Sequence, residues 1–235
     1  MNELEDILKS KDHILIDTSF IIPEESSSLL KSLKEGLNGV YGISAEGIKR
    51  SIDKIAELQA LICEREMEFL PEIIRELETG LTTIEEKIYR YKRKIRHKSA
   101  QKHYVIAEKL EKLRAYAKKL NSLIEFVKSK NKQRGSERDR EDYRHYLSIA
   151  KNNKGILINS HSKNESNSIG KELETDLHIF ATAAIRSYHD PVIILTRDEG
   201  IDRLITACFP EISKHLRKQN RLAMHYSISV YNPNL

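Results

Sequence analysis

Two aspartates stand just past apolar runs. Asp17 closes HILID (residues 13–17), and Asp198 follows PVIILT (191–196) by two residues. Continuous apolar runs of this length fit strands buried on both faces of a parallel sheet. In such a sheet ligands bind beyond the carboxyl ends of the strands, where the connections diverge. Two carboxylates placed there repel and raise one another's pKa unless a cation neutralises them. Oxygen donors without His–Cys pairing point to Mg2+ or Mn2+, held through one or two carboxylates, waters and substrate phosphate. Taken singly, either aspartate reads as a helix N-cap; taken together they read as a cation site. Two further acids fit the same rim. Asp176 opens the helical pattern TDLHIFATAAI, where a first-turn acid would also complement the helix dipole. Glu76 lies one turn after Glu72 in PEIIREL, deeper in its helix, with Ile73, Ile74 and Leu77 as apolar neighbours.

The elements that must position these acids are legible as periodicities. HILID, GILI (155–158), PVIILT and MHYSISVY (224–231) read as strands, with a short strand-like piece before Pro71. Helical spacing separates them. Leu177, Phe180, Ala181, Ala184 and Ile185 share one face of residues 174–187, with Thr175 as its cap; Ile201, Leu204 and Ile205 do the same after Asp198. Ser44 starts a helix carrying Ile48, Ile52, Ile55 and Ile62, and Pro71 suits the first turn of the next. The alternation of strand and helix implies an α/β sheet with crossover helices. The middle of the chain differs. Ile84, Ile88, Tyr91 and Ile95 lead into a three-heptad seam of Ile106, Leu110, Leu113, Ala117, Leu120, Ile124 and Val127. That seam suits a helical hairpin or a homodimer contact. RHKSAQKH (96–103) reads as the hairpin turn and SKNKQRGSERDRED as a loop. The expected organisation is an α/β domain of residues 1–81 and 151–235, interrupted by a helical insertion at 82–150.

Charge divides along the same line. The 235 residues carry a net charge of +5, yet residues 82–150 hold 20 Lys+Arg against 9 Asp+Glu, leaving the remainder acidic. Lys87, Arg90, Lys92, Arg93, Lys94, Arg96, Lys98 and Lys102 fall within sixteen residues, with Tyr89, Tyr91 and Tyr104 interleaved. Cations mixed with aromatics suit a nucleic acid, the phosphates meeting charge and the bases stacking; a solvated, lysine-rich hairpin is the alternative, and the local, one-signed excess favours the nucleic acid. No apolar run approaches the roughly 18 residues of a membrane span. ILIDTSFII is broken by Asp17 and lacks a small-residue cleavage site, so it is not read as a signal peptide. Cys63 and Cys208 are too few for a disulfide framework or a zinc site and read as two buried thiols. A cytoplasmic setting is expected.

ILIDTSFII with Asp17, PEIIREL with Glu76, TDLHIFATAAI with Asp176 and ILTRDEGI with Asp198 together resemble the four acidic motifs of the PIN-domain nucleases, in order and in placement on strand end or helix. The resemblance covers roughly residues 10–80 and 150–230. It implies a three-layer α/β/α domain with a central parallel sheet of about four or five strands, and a metal-dependent endoribonuclease. Asp17, Glu76, Asp176 and Asp198 would hold Mg2+ or Mn2+. Thr18, Ser19 and Thr196 would orient the carboxylates through their hydroxyls, and Asp202 would serve as a supporting or alternative ligand. RNA is the implied substrate, gripped by the basic insertion. Members of the family include toxins that pair with an antitoxin, so a protein partner of that kind is also implied, although the insertion makes this chain longer than the small toxins. Two alternatives stand beside this reading: an inactive PIN-like protein that binds RNA or assembles with it, and a structure-specific DNA nuclease. A phosphohydrolase of the haloacid dehalogenase type would need an acid where Ser19 stands. Nucleotide-cofactor folds would need a Gly-rich first turn.

Overall fold

The computed structural model describes residues 13–22, 32–33, 35, 37–64, 67–95, 100–130, 141–160, 169–218 and 227–231. The chain forms two compact units, one of residues 1–20, 65–70 and 132–235, the other of residues 21–64 and 71–131. These units follow packing, whereas the block at 82–150 follows charge. Residue 82 lies inside a continuous helix, and the acidic-capped helix at 141–152 belongs with the sheet.

The first unit is built on four parallel strands: β1 (His13–Ile16), β2 (Met67–Glu68), β3 (Val192–Leu195) and β4 (Ile228–Tyr231), in the order β2-β1-β3-β4. Central β3 is buried along its whole length, as its uninterrupted Val-Ile-Ile-Leu requires, whereas edge strand β4 is only partly covered. A short helix α1 (Thr18–Ile21) follows β1. Three more helices, α6 (Glu141–Asn152), α7 (Gly155–Ser160) and α8 (Ile169–Arg186), precede β3, and α9 (Glu199–Lys218) joins β3 to β4. Helix α8 packs on both β1 and β3 and on α6. Its burial from Thr175 through Ile185 follows from being covered on two sides, and His178 alone in that stretch is partly exposed. The Tyr143 hydroxyl meets His178 Nδ1 at 2.6 Å, and His145 of α6 stacks on His215 of α9 with ring centroids 4.0 Å apart, tying the three helices together.

Three expectations are corrected here. GILI is not a strand: residues 155–158 lie in α7, whose Leu157 is buried and which packs on α9. A four-residue apolar run does not distinguish a buried strand from a buried helical turn; the short strand-like piece before Pro71 does join the sheet, as Met67–Glu68. Helix α8 begins at Ile169, so Thr175 is an interior residue rather than a cap, and Asp176 sits two turns in rather than in the first turn. Cys208 is buried, and burial pushes its thiol up to about 12, but Cys63 is exposed. Cys63 follows Ile62 by one residue, a step that carries it around the helix and off the buried stripe.

The second unit is helical. Its elements are α2 (Leu37–Gly42), α3 (Ala45–Glu64), α4 (Pro71–Ile95) and α5 (Ala100–Lys130). Ser44 caps α3 by accepting the Gly47 N–H at 3.3 Å, and α4 starts at Pro71 as its sequence requires. Helices α4 and α5 run antiparallel: Lys92 pairs with Glu111 and Glu78 with Lys128, so position rises along one helix as it falls along the other. Every residue of the seam from Ile106 to Val127 is buried. Tyr116 and Leu123 are buried beside it because α5 packs against α3 as well as α4. The seam is therefore filled within the chain. Of the turn expected at 96–103, residues 100–103 belong instead to the first turn of α5 and the rest lies outside the described residues, as does most of the loop expected at 129–142.

Candidate functional site

Asp17 follows directly on β1, and Thr196 directly on β3. These strands are adjacent and in register, Ile16 opposite Leu195, so the chain is obliged to set the two residues side by side. From β1 the sheet extends to β2 on one side and then to β3 and β4 on the other. The point of reversal lies between β1 and β3, where an open sheet forms its crevice.

Asp17 is 4% exposed. Its Oδ2 accepts hydrogen bonds from the Thr196 hydroxyl at 2.8 Å, from the Ser19 N–H at 3.3 Å and from the Ser19 hydroxyl. Oδ1 accepts none among the described residues. The two hydroxyls stand 3.1 Å apart and are themselves fixed. Ser19 Oγ accepts the Arg197 N–H at 2.9 Å, and Thr196 Oγ1 accepts the Asp198 N–H at 2.9 Å. One carboxylate oxygen is thus held by three donors from Ser19 and Thr196. Burial pushes the Asp17 carboxyl above its usual range; the Ser19 and Thr196 hydrogen bonds oppose that rise, and the negative charge of Asp198 adds to it. Asp198 is half-buried, and its Oδ1 accepts the Gly200 N–H at 2.6 Å, capping α9. Asp198 thus caps α9 and adds its negative charge to the field at Asp17.

The other expected residues are distributed as follows. Asp176 is 5% exposed and lies on α8, the helix that borders β1 and β3. Glu76 lies on α4 in the second unit and is half-buried; of the two acids in PEIIREL, Glu72 is the more deeply covered. Thr18 is half-buried in α1, and Asp202 is exposed in the first turn of α9. No group of three or more His, Cys, Asp or Glu side chains able to hold a metal ion occurs among the described residues.

Two residues beside the site carry no signal in the sequence alone. The Arg197 guanidinium lies 5.7 Å from the centre of the Phe20 ring, placing a cation on an aromatic face. A strand-end pattern read only for its acids and hydroxyls passes over the residue between Thr196 and Asp198.

The basic residues sit on the second unit. Arg90, Arg93 and Lys94 are exposed on α4, Lys87 and Lys92 are half-buried there, and Lys102 lies in the first turn of α5; Arg96 and Lys98 fall outside the described residues. Tyr91 is not available for stacking: it is buried, and its hydroxyl donates to the Leu33 carbonyl at 2.5 Å. Tyr89 and Tyr104 are exposed. No described helix is long and apolar enough to cross a membrane. No protein-family model, no curated protein and no solved structure matches this chain.

Proposed function

We propose that the chain is a metal-dependent endoribonuclease of the PIN type, with RNA as substrate and Mg2+ or Mn2+ as cofactor. The observation that supports this reading best is Asp17 itself. A carboxyl this deeply buried is costly; here it is oriented by two hydroxyls, exposed to the charge of Asp198 and set at the reversal point of a parallel sheet. The donor set fits a hard cation. Asp17 and Asp198 would supply carboxylate oxygens to Mg2+ or Mn2+, which binds through one or two carboxylates together with waters and substrate phosphate. A bound Mg2+ or Mn2+ supplies a water of lowered pKa and offsets charge on the phosphate.

The chain's own residues do the rest. Ser19 and Thr196 fix the orientation of the Asp17 carboxylate through Oδ2. Asp198, anchored by the α9 backbone, holds the second oxygen donor rigid. By the PIN resemblance Asp176 joins the acidic set, and Arg197, steadied on Phe20, offers positive charge to the incoming phosphate. The test is cleavage of end-labelled single-stranded and hairpin RNA by the full chain with Mg2+ or Mn2+, beside DNA of the same sequence. Cleavage of RNA that is lost with EDTA and with Asp17→Asn supports the reading. Cleavage that survives Asp17→Asn and Asp198→Asn together refutes it, and preferential cleavage of DNA flaps assigns the site to DNA.

One observation favours a second reading, a non-catalytic RNA-binding protein of the same fold. Asp198 already has a structural use as the cap of α9, and the described residues assemble two communicating carboxylates rather than three. RNA binding that weakens steeply with salt, with no cleavage under any divalent metal, is its signature.

A further inference from the structure

Four large apolar side chains stand exposed among the described residues, and three of them, Tyr89, Tyr104 and Val105, lie on α4 and α5 within the basic segment. Tyr89 is 67% exposed, yet it is not an isolated surface ring. It lines a groove between the two helices whose apolar floor is Ile88 and Ala117 and whose walls carry Lys92, Arg114 and Lys118. Glu111 bridges Lys92 at 2.5 Å and Arg114 at 3.4 Å, so both are arrayed on the same side of the hairpin as the ring. Glu85 and Asn121 close the far end. Residues 82–131 as a whole hold 15 Lys+Arg against 5 Asp+Glu, so the surrounding field is positive. Tyr104 belongs to the same lane: 104, 111 and 118 are seven apart and share one face of α5, which sets Tyr104 about 21 Å from Lys118 along the helix.

We infer that this groove binds single-stranded nucleic acid, one base stacking on Tyr89 while neighbouring phosphates meet Arg114, Lys118 and Lys92. A flat aromatic beside an apolar floor recognises the face that every base shares, and the flanking cations recognise the backbone, so the site is insensitive to base sequence. An acidic peptide would satisfy the cations but leave the ring without a planar partner. The inference rests on the RNA reading given above and names where the substrate is held; its test does not depend on cleavage.

The chain contains no tryptophan, so Tyr89→Trp installs a single reporter in the groove. The full chain carrying Asp17→Asn is titrated with a single-stranded oligouridylate, and affinity is read in parallel from the anisotropy of a labelled oligomer. Quenching of the introduced tryptophan's emission on binding is expected, with affinity kept. Tyr89→Ala weakens binding by about 5-fold or more, as loss of one stacked base should. Arg114→Gln with Lys118→Gln flattens the dependence of log affinity on log salt by about 1.4, two phosphate contacts on a single strand. Circular dichroism establishes that each variant keeps its helices. Oligomer that binds without changing the tryptophan emission, or with equal affinity for the Tyr89→Ala chain, overturns the inference, and so does a groove that answers to polyglutamate and not to RNA. Binding that depends on Tyr89 in a chain whose wild type cuts nothing leaves this inference standing and removes the nuclease.

Discussion

The two units use charge in opposite ways. In the sheet unit a single aspartate is buried beside the end of β1, and its neighbours are arranged around one oxygen of it. In the helical unit charges are many, exposed and paired with each other: Lys92 with Glu111, Lys112 with Glu108, Lys128 with both Glu78 and Glu125. The first arrangement is costly to build and has no structural return of its own, since an apolar side chain would fill the space more cheaply. The second is what any charged helix surface forms, at little gain or loss. Positive charge in the helical unit is thus informative only where a further feature accompanies it, as the exposed ring does at Tyr89. A carboxylate buried as deeply as Asp17 is informative by being there at all.

Asp17→Asn strikes the comparison hardest. RNA cleavage should fall by at least about 100-fold, more than the loss expected for removing a supporting partner of a metal ligand. Stability should move the other way. The folded-state pKa of Asp17 is raised, so the native chain holds a proton that the unfolded chain releases. The wild type's stability from this group is full below the ordinary aspartate pKa of 3.8 and declines as pH rises toward the folded value. Thermal unfolding followed from pH 4 to pH 8 should show that decline in the wild type and a flatter curve, higher at pH 7, in Asp17→Asn. Added Mg2+ should restore stability to the wild type alone, by mass action on the folded state. Thr196→Val comes next. It removes the donor to Asp17 and the acceptor of the Asp198 N–H while keeping the shape, so cleavage should drop about 10- to 100-fold. Stability should fall by about 1–3 kcal/mol for the Asp198 N–H left without its partner, read from urea unfolding.

How much of this the sequence discloses depends on whether neighbours along the chain decide the outcome. Asp17 beside Thr196 follows from two apolar runs and the adjacency of parallel strands, and both runs are plain to see. The bond from Thr196 to Asp17 spans 179 positions, but a strand-end rule is enough to anticipate it. GILI misleads because four apolar residues suit a buried helix as well as a strand, and the packing on α9 that decides between them is not local. The depth of Asp176 in its helix is not legible because α8 gains its first two turns from residues 169–174, whose apolar periodicity is weak. The packing unit of residues 21–64 and 71–131 is hidden for a related reason. Composition changes at 82, whereas α4 runs through that point without a break. The groove at Tyr89 joins residues of two antiparallel helices, and no single stretch of sequence contains it.

Glu68→Gln tests whether a half-buried ion pair in the sheet unit belongs with Asp17 or with the surface pairs. Glu68 on β2 accepts two parallel bonds from Arg186, Nε at 2.9 Å and Nη2 at 3.0 Å, and meets His13 Nε2 at 2.5 Å. Burial works to raise its pKa, and the His13 and Arg186 hydrogen bonds overcome that, bringing it from 4.5 to about 2. A depressed carboxyl pKa adds stability above its unfolded value and forfeits it as pH falls toward the folded one. At pH 7 the substitution should cost up to about 3 kcal/mol, at 1.36 kcal/mol per unit of pKa. Wild type and variant should converge between pH 4.5 and pH 2, whereas cleavage at pH 7 should be unaffected in the fraction that is folded.

Glu111→Gln should do least, and for that reason it sharpens the contrast most. Lys92 and Arg114 both reach Glu111, and by its partners alone it is as well connected as Glu68. Its carboxylate is exposed, however, and water solvates all three groups whether or not they pair. The unfolding midpoint should therefore stay unchanged at pH 7, and its acid limb should overlay that of the wild type. Oligouridylate binding should tighten slightly, because one negative charge leaves the groove without disturbing Tyr89. A midpoint loss comparable to that of Glu68→Gln would mean that Glu111 ties α4 to α5 as a structural element. The cations of the groove would then be there for the hairpin rather than for a ligand.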